Sequence, residues 1–193
     1  EITDADRDEV LVERPCYESL HRVPRSLGAK VVFFERRRDQ DYAVDIDHVL
    51  GLVSDRTRVV TLTNLHNPTG TRIPDTTIRA LAAALAARSS KVRLLVDEAY
   101  SSFDTRCDND GLFLHSARNL GKNVVVTSSL TKTFGYGPER IGWVLAEPDI
   151  TRAVTRQIVT SVGALPRSMA PIGVTLFENL AALRSEFVAD LDA

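Results

Sequence analysis

Short runs of branched and aromatic apolar residues recur along this chain, and stretches with helical periodicity separate them. Residues 9–12, 30–34, 58–63, 92–96, 123–127 and 141–146 read as strands, because β-branched side chains suit a pleated, buried surface. Between them, 17–27 reads as a helix kinked or shortened by Pro24, and 45–53 as a short helix capped by Asp45. A third helix, 74–87, opens on Pro74 and carries Ile78, Leu81 and Leu85 on one face. Such an alternation restricts the fold class to α/β: a mostly parallel sheet with helices on both faces. Two further stripes, Ile150–Val154–Ile158–Val162 and Leu176–Leu180–Leu183–Phe187–Leu191, are expected to be core faces of closing helices. The charged run RRRDQD at 36–41 reads as a solvated loop.

The 193 residues suffice for one domain with a substantial core, and 44% hydrophobic content suits a soluble globular protein. A formal net charge of -2 gives no reason to expect nucleic acid or an anionic membrane as partner. No apolar run is long enough to span a bilayer, and no signal peptide is expected from the opening residues. Cys16 and Cys107 make neither a disulfide framework nor a zinc site, and reduced thiols in a cytoplasmic protein are the simple reading. The chain begins with Glu1 rather than methionine, which suggests a fragment.

Chemistry concentrates just beyond the carboxyl ends of three expected strands, where open parallel sheets form their ligand crevice. Asn67 opens NPTG after the third strand, Asp97 opens DEAY at the end of the fourth, and Ser128, Ser129 and Lys132 follow the fifth. A lysine at a small-residue turn is expected to be desolvated, which favours the neutral amine that attacks carbonyls. The Ser128 and Ser129 hydroxyls and the guanidinium of Arg140, eight residues beyond Lys132, suit a phosphate. A Schiff-base lysine beside a phosphate site is what a pyridoxal phosphate enzyme requires. Simpler roles compete at individual positions. Asn67 also suits the turn before Pro68, Asp97 a turn or cap, and Tyr100 a core position with a satisfied hydroxyl. Arg140 also suits a surface ion pair.

Taken together, HNPTG at 66–70, DEAY at 97–100, SSLTK at 128–132 and ERIG at 139–142 resemble the class I/II aminotransferases, pyridoxal phosphate enzymes of fold type I. The resemblance covers roughly residues 8–190. It implies the large-domain fold of that family, pyridoxal phosphate as cofactor, and amino-group transfer between an amino acid and a 2-oxo acid. By resemblance, Lys132 forms the Schiff base and shuttles the proton between Cα and C4′. Asp97 pairs with the pyridine nitrogen, Asn67 and Tyr100 bond the phenolic oxygen, and Ser129, Arg140 and Ser128 hold the phosphate. Tyr17 stacks on the ring, or else packs the first helix. His66 supports Asp97 from behind, or is a buried structural histidine, and Glu98 points away. A homodimer is implied as well.

Relatives also carry an earlier phosphate-binding segment and a C-terminal small domain, so the chain is expected to be a partial large domain, with 170–193 starting the connecting helix. Alone it is expected to be inactive or very weak, because substrate orientation supplies much of the rate. Three rivals stand beside this reading: another fold type I enzyme (decarboxylase, carbon–sulfur lyase or synthase), a non-catalytic regulatory module on the same fold, or an inert fragment.

Overall fold

The computed structural model describes residues 8–104, 116–133, 141–161, 163, 169–179 and 182. Its centre is a six-stranded sheet: β1 (Glu9–Arg14), β2 (Lys30–Glu35), β3 (Thr57–Thr63), β4 (Arg93–Asp97), β5 (Val124–Ser129) and β6 (Gly142–Leu145). The spatial order is β2-β1-β3-β4-β5-β6. Neighbours from β2 to β5 pair in parallel, and β6 closes the edge antiparallel to β5. The chain thus runs outward from β1 in both directions, and the β1/β3 junction is the switch point at which doubly wound sheets open a crevice.

Alternation along each strand feeds two apolar layers. Leu11, Phe34, Val60, Leu62, Leu94, Val96, Val124 and Val126 face one side of the sheet. There they meet α2 (Ile46–Leu52) through Val49, and α3 (Asp75–Arg88) through Ile78, Leu81, Ala82 and Leu85. Val10, Val12, Val31, Phe33 and Val59 face the other side, against Leu20 of α1 (Ser19–Ser26). Asp45 caps α2 as expected, its carboxylate accepting the His48 N–H at 3.0 Å. Pro24 lies inside α1 near its end, so the helix is short rather than broken.

Two expectations fail. The stripe on α5 (Pro148–Ser161) is not a core face: no residue of that helix is buried, Ile150 and Val154 are half-covered, and Ile158 is 45% exposed. A 3.6-residue period marks a face that can be buried, and among the described residues nothing covers the second half of this one. Val162 lies outside the described residues. The charged run at 36–41 is divided. Arg37 and Asp39 form an exposed ion pair, as a solvated loop would, but Arg36 is buried.

Of the final stripe, Leu176 is buried on α6 (Met169–Glu178) against Leu130 and Ile141, whereas Leu180, Leu183, Phe187 and Leu191 lie outside the described residues. No helix among the described residues is long and apolar enough to cross a membrane.

Candidate active site

The sheet ends converge as the motif spacing requires. A cavity of about 350 Å³ opens at the carboxyl ends of β3, β4 and β5, and its walls include Tyr17, Asn67, Asp97, Tyr100, Ser128, Ser129 and Lys132. Residues far apart in sequence therefore share one site, and seven of the eight expected positions meet there. The eighth, Arg140, lies outside the described residues.

Backbone bonds fix the floor where the strand ladder ends. The Asn64 N–H donates to the Asp97 carbonyl at 2.9 Å, and the Glu98 N–H to the Thr127 carbonyl at 2.8 Å. Asn67 sits in a closed loop in which the His66 N–H bonds the Thr71 carbonyl and the Gly70 N–H bonds the His66 carbonyl. Gly70 has φ of +71°, a left-handed conformation that a side chain would strain, so its place in NPTG is conformational. Gly142 answers a different demand. It pairs with Ser129 across β5/β6, and a Cβ there would stand 3.1 Å from the Ser128 carbonyl oxygen.

Asp97 is half-buried, and its Oδ1 accepts the Ala99 N–H at 3.0 Å. Burial raises its carboxyl above the usual range, because no cation among the described residues offsets the desolvation. A cationic ring nitrogen would reverse that balance. Tyr100 faces Lys132 across the cavity, with Nζ 6.0 Å from the ring centroid. Tyr17 is 53% exposed on the rim, two residues before α1 begins.

Lys132 is exposed rather than desolvated. It lies on α4 (Leu130–Thr133), where Leu130 takes the inward position at 1% exposure, and two residues along a helix turn the side chain to the opposite face. Ser128 is partly committed, since its hydroxyl donates to the Glu98 carbonyl at 3.0 Å. Sequence reasoning missed Thr63, Thr127 and Thr131 on the same walls. The strand ends of β3 and β5 hold Thr63 and Thr127 outside any motif, and Thr131 sits inside SSLTK between the serines and the lysine that drew the assignment.

His66 resolves to its structural reading. Its Nε2–H donates to the Pro15 carbonyl at 2.9 Å, because a carbonyl only accepts, so Nδ1 must accept the Thr69 hydroxyl at 2.6 Å. Thr71 then donates to Thr69 and accepts from Arg36, at 2.9 and 3.1 Å. One directed chain of hydrogen bonds runs from Arg36 to Pro15 beneath the Asn67 loop. Burial and the Arg36 guanidinium push His66 down to about 4, which keeps the ring neutral. Arg36 also pairs with Glu13 at 2.9 Å, both essentially inaccessible, and the second Glu13 oxygen accepts the Thr63 N–H. Burial pushes the Glu13 carboxyl up, while Arg36 and the side chain and N–H of Thr63 pull against it.

Glu98 does turn away from the cavity. It is buried, accepting the Ala117 N–H at 2.6 Å and the Ser116 hydroxyl at 2.9 Å. Burial raises its carboxyl from 4.5 to about 7, overcoming those two bonds. Between these values the folded chain keeps a proton that the unfolded chain has released, so the contribution of Glu98 to stability falls as pH rises through that window. Glu98→Gln keeps an acceptor for Ala117 but cannot titrate. Its stability relative to the parent should rise across the window and level off above it, measured by chemical denaturation on either side. A difference independent of pH would mean that Glu98 stays ionised in the folded chain.

The donor set has a definite chemistry. One amine, one carboxylate without a cation, an amide and a phenol close together, several hydroxyls and an aromatic rim surround a space of ligand size. These groups fit the chemistry of pyridoxal phosphate.

Fold and site together define an α/β protein whose cofactor crevice lies at the sheet's carboxyl edge. The family model for aminotransferase class I and II matches residues 2–190, and the chain belongs to that family. It is 36% identical over 177 residues to a histidinol-phosphate aminotransferase of Zymomonas mobilis, covering 91% of this chain and 42% of that protein. To an aromatic amino acid aminotransferase of Rhodococcus jostii it is 31% identical over 186 residues, covering 96% and 49%. The fold matches an aspartate aminotransferase of Thermus thermophilus solved with maleate, with a TM-score of 0.82, 22% identity, and coverage of 94% of this chain and 46% of that one. The chain therefore spans less than half the length of these relatives.

Proposed function

We propose that this chain is the cofactor-binding large domain of a pyridoxal phosphate-dependent aminotransferase that moves an amino group between an amino acid and a 2-oxo acid. The observation that carries the reading is the meeting of Lys132, Asp97, Asn67, Tyr100 and Ser129 around one cavity. When bound, the cofactor supplies an electron sink for the charge that develops at the substrate's α-carbon. Each residue then has a defined task. Lys132 Nζ would offer an amine for the cofactor aldehyde, take the proton from the substrate's α-carbon and deliver it to the cofactor's C4′. Asp97 holds a proton on the ring nitrogen, and its desolvated carboxylate is stabilised by the positive charge it faces. Asn67 and Tyr100 donate to the phenolic oxygen, while Ser129, with Ser128 and Arg140, binds the phosphate. Tyr17 covers the ring at the rim.

The reading extends to a cytoplasmic homodimer. Apolar residues exposed on the outer helices, Val174 and Phe177 on α6 and Ile158 and Val159 on α5, support an association surface. The amino donor is open, and the names of the relatives make histidinol phosphate and aromatic amino acids the first donors to try.

The test is chemical. The purified protein is mixed with pyridoxal phosphate, reduced with borohydride and digested, and the adduct is located by mass spectrometry. A pyridoxyl group on Lys132 is expected. Labelling scattered over surface lysines would sink the cofactor reading. Product analysis with an amino donor separates transfer from its rivals, since transfer yields a 2-oxo acid and decarboxylation yields carbon dioxide.

A further inference from the structure

Asn67 and Tyr17 stand on the walls of one cavity but come from distant segments of the chain. His66 touches both segments. It is 2% exposed, and all four of its polar groups are committed. Its N–H donates to the Thr71 carbonyl at 2.9 Å and its carbonyl accepts the Gly70 N–H at 2.7 Å, which closes the loop around Asn67. On the ring, Nδ1 accepts the Thr69 hydroxyl at 2.6 Å inside that loop. The opposite nitrogen, Nε2, donates to the Pro15 carbonyl at 2.9 Å, two residues before Tyr17. The backbone bonds close the loop on itself, whereas the Nε2 bond ties it to the segment that carries Tyr17. Arg36 braces the arrangement from beneath, bonding Thr71 at one end of its guanidinium and Glu13 of β1 at the other. A flat ring with a hydrogen bond at each nitrogen is a rigid spacer, and losing either bond strands a buried polar group.

We propose that His66 is a positioning residue for the cofactor site, holding the Asn67 wall through Nδ1 and the Tyr17 wall through Nε2. This rests on the cofactor assignment above and extends it to a residue that is not on the walls of that cavity. The Nδ1 bond sets the hydrogen bond that Asn67 gives to the cofactor's phenolic oxygen. The Nε2 bond sets the backbone from which Tyr17 covers the ring.

The two nitrogens are separable by substitution in the full-length enzyme. Asparagine places its amide oxygen near the position of Nδ1, so His66→Asn keeps an acceptor for Thr69 and loses the reach to Pro15. Glutamine places its amide nitrogen near the position of Nε2, so His66→Gln keeps the donor to Pro15 and loses the acceptor for Thr69. The readout is the pH at which the absorbance of the lysine-bound cofactor changes. A donor on the phenolic oxygen draws negative charge away from the nitrogen of the lysine linkage, which helps that nitrogen release its proton. Loosening Asn67 should therefore move the midpoint up, by about half to one pH unit for one weakened hydrogen bond. His66→Gln should show that rise. His66→Asn should keep the parental midpoint and bind pyridoxal phosphate roughly threefold more weakly, through the loosened Tyr17 wall. Thr69→Val removes the same bond from its other side and should repeat the rise, while Thr69→Ser should restore the parental midpoint, so the test survives a His66 variant that fails to fold. Parental midpoints in both His66→Gln and Thr69→Val would overturn the inference, even with lowered melting temperatures, the mark of a histidine that only stabilises the fold. Equal rises in His66→Asn and His66→Gln would overturn it too, because they would trace the effect to the lost ring rather than to its two bonds. If the parent acquires no pyridoxyl group on Lys132, the cofactor assignment falls and His66 with it. A parent that labels beside variants with parental midpoints sinks the His66 inference alone.

Discussion

Lys132→Ala in the full-length enzyme should lose the borohydride-fixed pyridoxyl group and at least about 10⁴-fold in transamination rate. The size follows from two roles lost together. General acid–base catalysis by a positioned side chain contributes about 10²–10⁴-fold, and loss of the covalent route adds to it. The variant should still fold, because Lys132 is exposed and Leu130, not Lys132, anchors α4 in the core. It should also still bind pyridoxal phosphate non-covalently, since Asp97, Asn67, Tyr100 and Ser129 are untouched. Adding a small primary amine should restore part of the rate, a result that a merely structural lysine would not give. Activity within about tenfold of the parent would rule out Lys132 as the amine of the reaction.

The second large effect concerns stability. Glu13→Leu should lower it by about 3–5 kcal/mol, because it strands the Arg36 guanidinium with 1% of its surface exposed. For a chain of this size that is a fall of roughly 6–20 °C in melting temperature. The loss should reach beyond the pair. Glu13 holds the end of β3 through the Thr63 N–H, and Arg36 starts the hydrogen-bond chain that orders the Asn67 loop. Cofactor affinity should therefore fall along with the melting temperature. Replacing both partners, Glu13→Leu with Arg36→Met, should recover much of the stability, since apolar pairs often substitute for buried ion pairs. The recovery will be incomplete, because the Thr63 N–H and the Tyr42 carbonyl lose their partners. A single variant as stable as the parent would show that Arg36 reaches water in solution.

Much of the fold was legible because the strands carry runs such as KVVFF and TRVVTLT, whose β-branched side chains fill both apolar layers. The cavity was legible for a related reason: functional residues of a parallel sheet collect at its carboxyl ends, and the motifs mark those ends. The Glu13–Arg36–His66 network was not legible, because its members belong to different segments and each looks ordinary beside its neighbours. Arg36 opens a run of charges whose other members are solvated, and only the sheet register shows that this one turns inward to Glu13. The exposure of Lys132 was hidden similarly. Sequence places it after a turn, but the direction of its side chain depends on Leu130 winning the core position.

The bonds from Asn64 to the Asp97 carbonyl and from Glu98 to the Thr127 carbonyl continue the sheet past its formal ends. One consequence concerns lifetimes rather than geometry. Amide protons at these two positions should exchange with solvent about as slowly as those of the central strands, opening only when the whole sheet opens. The exposed side chains of Tyr17 and Lys132 at the rim are free to adjust on far shorter timescales. The crevice thus combines a long-lived floor with a rim whose side chains adjust quickly.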